Sequence, residues 1–202
     1  MSSSKESPLT EKEKCFSQMW YDPNGDPSLI HERAQADELC TAINRLGQTS
    51  PERQRLLKVL FPNQSKDVTI MNPIWADYGR YTSIGKGTFI NRNAYFMDEA
   101  LITIGANCMI GPNVGLYTAN HALVATERNT GIEIALPITL EDNVWLGGNV
   151  CIVPGVTIGT GSVIGANSLV SKDIPANVVA AGNPCRVIRK ITESDRIAHL
   201  IQ

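Results

Sequence analysis

The chain has 202 residues, 43% hydrophobic and 19% charged, with 18 Lys and Arg against 20 Asp and Glu for a formal net charge of −2. This is ordinary globular composition, long enough for one or two domains with a real core, and it offers no basic excess for nucleic acid or an anionic membrane. No run of about 18 apolar residues occurs, which excludes a membrane-spanning helix.

The opening MSSSKESPLTEKEK is polar and reads as no secretory signal. Five cysteines, Cys15, Cys40, Cys108, Cys151 and Cys185, are scattered without a C-x-x-C pair. Free thiols in a reducing compartment are expected, rather than a disulfide or zinc framework, and the expected location is the cytoplasm. Thr10 followed by Glu13 is a capping box opening a first helix. Asp22-Pro23-Asn24-Gly25-Asp26-Pro27 is a turn cluster. From Ser28 to Leu46, Ile30, Ala34, Leu39, Ala42, Ile43 and Leu46 predict one helix face, stopped by Gly47. Ser50-Pro51-Glu52 opens a third helix with Leu56, Leu57 and Leu60 as its apolar side.

From about residue 67 a period of six takes over. Aliphatic residues stand at Leu140, Leu146, Ile152, Ile158, Ile164 and Val170, with companions two residues earlier at Ile138, Val144, Val150, Val156, Ser162 and Ser168. The same phase runs through Ile84, Ile90 and Phe96, and through Ile104, Ile110 and Leu116. Glycine follows the aliphatic residue at Ile84, Ile104, Ile110, Leu146, Ile158 and Ile164. No helix has this period, and strand alternation does not hold glycines in register; a solenoid does. Each hexad is then one short strand and a corner, and three make a triangular coil. The aliphatic residue points inward, and glycine is expected to supply the corner dihedrals. Four or five coils, about 4.8 Å per layer, span about 20–25 Å.

Two interruptions break the rule. The frame slips by two around Asp98 and Glu99. Between Leu116 and Leu140 the content ignores the period, and such excursions are usually functional; this one, 118–137, contains His121. The expected fold is mainly β: a helical N-terminal cap over 1–66, a hexapeptide solenoid over 67–175, and a C-terminal tail over 176–202 ending in a short helix.

The segments TEKEK, YDPNGDP, WADYG, IGPNVGLYTANHALVATERNTG, PITLEDNVWLGGN, PGVTIGTGSVIGANSLVSKDIP and AAGNPCRVIRKI together resemble the maltose and galactoside O-acetyltransferases, in unbroken order from about Thr10 to Ile191. The resemblance implies a left-handed parallel β-helix, a homotrimer, acetyl-CoA as donor and a sugar hydroxyl as acceptor. It implies His121 as the proton-accepting residue with Glu133 orienting it. It places Asp22, Asp77, Asn91 and Asp98 at the acceptor, with Glu99 acidic where some members have a second aspartate. Gly148 corresponds to the residue whose backbone approaches the thioester, and Ala166, Ser171, Lys172, Arg186 and Arg189 to coenzyme A contacts. Arg80 and Glu99 depart from the family's usual residues beside the acceptor pocket, so the acceptor's identity stays open.

These roles suit the chemistry. A sugar hydroxyl is a poor nucleophile at neutral pH, and histidine's ordinary pKa near 6.5 suits a base for it. Glu133 is expected to accept from the other ring nitrogen and fix the tautomer. The backbone N–H of Gly148 suits an oxyanion, while Gly147 reads as an ordinary corner. Lys172, Arg186, Arg189 and Lys190 form a basic cluster for coenzyme phosphates. Of the cysteines, Cys108 takes an inward position and reads as core, while Cys151 faces outward; direct transfer is favoured over a cysteine nucleophile. His31 and His199 read as solvated. One histidine in the repeat region is too few for a zinc site. An antibiotic acetyltransferase of this fold and a purely structural solenoid are the alternatives.

Overall fold

The computed structural model describes residues 8–197. Thr10 caps α1 (Glu11–Phe16), accepting from the Glu13 N–H while Glu13 accepts from the Thr10 N–H at 2.7 Å. Asp26 caps α2 (Pro27–Arg45) and Ser50 caps α3 (Pro51–Leu60), each with proline at the first turn, where no intrahelical N–H bond is lost. The face that α2 buries is Leu29, Ala36, Cys40 and Ile43, whereas the expected Ile30 is 46% exposed. Steps of seven, four and three follow the 3.6-residue pitch more closely than the predicted stripe, and this face packs on Ile74–Ala76. α3 also buries Arg53, whose Nε donates to Asn72 Oδ1 at 2.8 Å and Nη2 to the Ile70 carbonyl at 2.6 Å, pinning the cap to the first coil.

Beyond the cap the chain winds as a parallel solenoid of about six turns. Its first face stacks Asn63–Gln64, Thr82–Ile84, Ile102–Ile104, Ile138–Leu140 and Thr157–Ile158. The second stacks Thr69–Ile70, Phe89–Ile90, Met109–Ile110, Trp145–Leu146, Val163–Ile164 and Val178–Ala181. The third stacks Ile74–Ala76, Ala94–Met97, Gly115–Tyr117, Cys151–Ile152 and Leu169–Val170. Register lays Ile84 on Ile104, Ile104 on Leu140 and Leu140 on Ile158, a column buried to 2% exposure or less. The first turn, Asn63–Ala76, lies ahead of the hexad series because Gln64 occupies the place that Ile84 holds one coil later. Gln64 satisfies its amide on the Leu57 carbonyl of the cap at 2.8 Å.

The glycines in register are not the corner residues they were expected to be. Positive φ at the corners is carried by Asn93, Asn107, Asn113, Asn143, Asn149, Asn167 and Asn177, between 55° and 62°, with Gly87, Gly155 and Gly161 beside them. Asparagine tolerates this region better than other residues with a Cβ. What demands glycine at Gly147 is the next coil, since a Cβ there would stand 2.6 Å from the Ala166 nitrogen.

The tail also departs from expectation. Arg186–Lys190 folds back antiparallel on Val178–Ala181 and pairs the open edge of the second face, as β-branched Val187 and Ile188 favour. Within the described residues the expected C-terminal helix is a single 3-10 turn over Glu193–Asp195. His199 lies outside the described residues.

Candidate active site

The excursion is a hairpin arm. Its root is held by Thr118, fully buried, which donates to the Met97 carbonyl at 2.6 Å and accepts from the Ala100 N–H at 3.0 Å. Ala119–His121 then pairs antiparallel with Glu133–Ala135, setting His121 directly opposite Glu133. A short helical turn, Ala125–Arg128, forms the tip, and Leu123 beside it is 94% exposed. Tyr21, between α1 and α2, adds a further antiparallel pair: its N–H donates to the Glu133 carbonyl at 2.9 Å and the Glu133 N–H to its carbonyl at 3.0 Å. Cap and arm are thereby joined at the residue facing the histidine.

The His121 side chain is half exposed, and its Nδ1 lies 3.1 Å from the Ile132 carbonyl. A carbonyl only accepts, so Nδ1 carries the hydrogen and Nε2 of the neutral ring is the acceptor. Glu133 Oε2 stands 3.9 Å from Nε2, beyond hydrogen-bond reach, while Oε1 accepts from the Tyr21 hydroxyl. This corrects the expected arrangement: the Ile132 carbonyl fixes the tautomer, and Glu133 flanks the nitrogen left free. The hairpin register is the reason, because directly opposed residues project to one side of the ribbon. Burial pushes the Glu133 carboxyl up, opposed chiefly by the Tyr21 hydrogen bond and then by the charges of His121 and Arg33.

Behind Glu133 the solenoid supplies more carboxyls. Asp77 accepts from the Tyr95 hydroxyl. Glu99, 6% exposed, holds its Oε2 3.3 Å from Thr118 Oγ1. Burial, then its bond to Asp77 and that carboxylate's charge, hold Glu99 far above the usual carboxylate range. Arg33 of α2 is the nearby cation; Nη1 donates to the Tyr78 hydroxyl and the Pro23 carbonyl, each at 2.9 Å. Asp22 makes an Asx turn, Oδ1 accepting from the Asn24 N–H at 2.9 Å, one residue from the Tyr21–Glu133 pair.

Asp98 does not line this space. It is fully buried, its Oδ1 accepting from the N–H groups of Tyr78 and Gly79 at 2.8 and 3.0 Å and its Oδ2 from Thr82 Oγ1 at 3.0 Å. Burial pushes its carboxyl up to about 7 against those three bonds. Its oxygens serve the turn rather than a ligand, and the slip of two in the repeat is the structural trace of that turn.

The remaining predicted residues divide between two edges of the third face. Asn91, Gly147 and Gly165 follow one another up the edge shared with the second face, linked through Gly111, with Gly148 and Ala166 next to them. Ala181, opposite Arg186 in the tail hairpin, continues that edge. Asp77, Glu99, the root of the arm, Ser171 and Lys172 follow third-face strands and lie on the other edge. Asn91 is therefore not brought to His121 within one chain; its side chain accepts from the Arg92 N–H at 2.8 Å. Gly148 differs from its neighbour Gly147: a Cβ there would meet Pro112 Cγ at an ordinary 3.4 Å, and among the described residues no acceptor takes its N–H. Ala166, Ser171, Lys172 and Arg186 are exposed. Arg189 is already engaged, both terminal nitrogens donating to the Asp195 carboxylate at 2.8 Å. An exposed basic side chain with room at a bare N–H suits an anionic thioester coenzyme.

All five cysteines are free. Cys108 is fully buried and donates to the Glu141 carbonyl at 3.2 Å, as a core residue does. Cys151 is half-buried on the third face, and burial pushes its thiol up, away from nucleophilic thiolate. Tyr21, Arg33 and the Ile132 carbonyl escaped the sequence reading. Tyr21 stands beside Asp22 in the YDP segment, and no spacing signals the other two.

Comparison with known proteins places these features in context. Residues 14–63 match the maltose acetyltransferase hexapeptide capping motif. Residues 137–172 match the bacterial transferase hexapeptide repeats, and 101–117 the hexapeptide repeat of succinyl-transferase. A Staphylococcus aureus protein, named provisionally as an acetyltransferase, is 49% identical over 91% of this chain and 92% of its own. The crystal structure of a maltose O-acetyltransferase from Clostridium difficile 630 superposes with a TM-score of 0.88 at 45% identity, covering 92% of this chain and 99% of that one. A galactoside acetyltransferase in complex with coenzyme A also gives 0.88, at 36% identity over 93% and 94%.

Proposed function

The chain belongs to the hexapeptide-repeat acetyltransferases bearing the maltose acetyltransferase capping motif, and from this premise we propose that it moves the acetyl group of acetyl-CoA directly to a sugar hydroxyl with His121 as general base. The observation that carries the reading is the ring of His121: Nδ1 is spent on the Ile132 carbonyl, and Nε2 is left free beside the Glu133 carboxyl. In this reading an acceptor hydroxyl gives its proton to Nε2 as its oxygen bonds to the thioester carbon. The Gly148 N–H steadies the oxyanion, the C–S bond breaks, and the departing thiolate takes the proton back from Nε2. Glu133, 3.9 Å away, opposes the imidazolium charge through space. Asp77 and Asp22 offer acceptors to sugar hydroxyls, and Lys172 and Arg186 meet coenzyme phosphates. Five unpaired thiols support a reducing, cytoplasmic setting. Among the described residues no helix is long and apolar enough to cross a membrane.

The test is an acceptor screen with acetyl-CoA and thiol release as readout, across maltose, glucosides, galactosides and chloramphenicol. Turnover confined to sugars is the expected result; chloramphenicol as the sole good acceptor would replace the sugar reading.

The division of the predicted residues between two edges supports a homotrimer with shared sites. His121 stands on one edge of the third face, Asn91, Gly148 and Arg186 on the other, and threefold closure can bring unlike edges of neighbours together. Light scattering is expected to give about 66 kDa, three times the 22.0 kDa chain. Mixed trimers of His121→Ala and Arg186→Ala chains are expected to regain activity that neither parent has. A fully active monomer would end the shared-site reading.

A further inference from the structure

The hairpin register alone leaves Glu133 able to swing. A carboxyl that turns toward the ring and carries a proton can donate it to Nε2 and so occupy the lone pair that the base needs. Here it does not, and a residue of the cap is the reason. Tyr21 is 1% exposed, its hydroxyl donates to Glu133 Oε1, and its backbone both gives and takes a hydrogen bond with Glu133. We propose that Tyr21 is a positioning residue for acetyl transfer, its hydroxyl and backbone together holding the Glu133 carboxylate beside His121 Nε2 and off it. At 3.9 Å the carboxylate is near enough to favour a charged ring and too far to block the lone pair. The inference rests on His121 being the base.

The surroundings of Glu133 make the hydroxyl matter. His121 faces it across the hairpin, Arg33 from α2, Asp77 and Glu99 from the solenoid, and Cys15 from α1. Three of these are acids and only Arg33 is a fixed cation, itself bonded to Tyr78 and Pro23. Among the groups opposing burial at Glu133, the Tyr21 bond is the largest. Without it the carboxyl takes up a proton at higher pH and ceases to balance the imidazolium.

Tyr21→Phe, Glu133→Gln and the double variant test this, assayed with acetyl-CoA and the fastest sugar of the screen. The titration of Glu133 is followed in the same samples by carbon NMR of δ-labelled glutamate, which needs no acceptor. Tyr21→Phe is expected to lower kcat about 10-fold. Glu133→Gln should do the same, and the double variant should be no slower than Glu133→Gln alone. Glu133 is expected to titrate at higher pH in Tyr21→Phe than in the native chain. Losses that multiply, or an unmoved Glu133 titration, would overturn the proposal, since a purely structural tyrosine lowers Tm without moving that titration. If Tyr21→Phe fails to fold, 3-fluorotyrosine at position 21 keeps the shape and strengthens the donor; Glu133 must then titrate at lower pH, and an unchanged value overturns the proposal. His121→Ala in the same assay separates the two readings, because native kcat there removes the base whatever Tyr21 does.

Discussion

His121→Ala is expected to lower kcat by about 10²–10⁴-fold while leaving the fold and its Tm close to native. The size follows from what a positioned base supplies to a hydroxyl whose own acidity is far too weak for attack at neutral pH. The structural neutrality follows from the environment: the ring is half exposed on the arm, and among the described residues its one hydrogen bond is to the Ile132 carbonyl, which water can satisfy in its place. Residual rate belongs to binding and to the Gly148 N–H, which the change does not touch. The measurement is kcat with saturating acetyl-CoA and the best sugar, beside a thermal melt. Native kcat would end the general-base mechanism, and a collapsed melt would mean that the arm depends on the ring.

Ile158→Asp is expected to unfold the protein or leave it insoluble rather than slow it. Ile158 is fully buried, in register with Leu140 below and bridged to Ile174 above, in a column that offers an aspartate no donor. An unpaired carboxyl there costs several kcal/mol whether it stays charged or takes up a proton, against a total stability of about 5–15 kcal/mol. Loss of the aliphatic side chain adds the transfer and cavity cost of a core truncation, about 2–5 kcal/mol for similar changes. Because coils stack as nearest neighbours, the defect falls between the arm and the tail and severs the column at that layer. Circular dichroism and sedimentation check it; a soluble, active variant would mean that the column does not point inward as its register requires.

The sequence by itself determined the solenoid, because burial inside a triangular prism imposes a period that a polar chain face cannot imitate. Leu140, Leu146, Ile152, Ile158, Ile164 and Val170 are all fully buried, as their spacing of six demanded. The Thr10 capping box and the Ser50-Pro51 start of α3 were legible for a similar reason, since cap chemistry is local. Where the arm leaves the solenoid was legible too, as a break in the period. Tertiary structure decided what the period cannot carry. Gln64 belongs to the first coil only because the cap satisfies its amide, and Ile30 lies outside because α2 meets the solenoid through Leu29, Ala36, Cys40 and Ile43. Asp98 and Asp77 look alike in sequence, yet three internal donors occupy the first, while the second, bonded to the Tyr95 hydroxyl, stays only partly buried. The ring nitrogen of His121 that is free depends on a carbonyl eleven residues away, and the place of Glu133 on a tyrosine 112 residues away. Such pairings are made by the fold joining cap to arm, and no spacing along the chain encodes them.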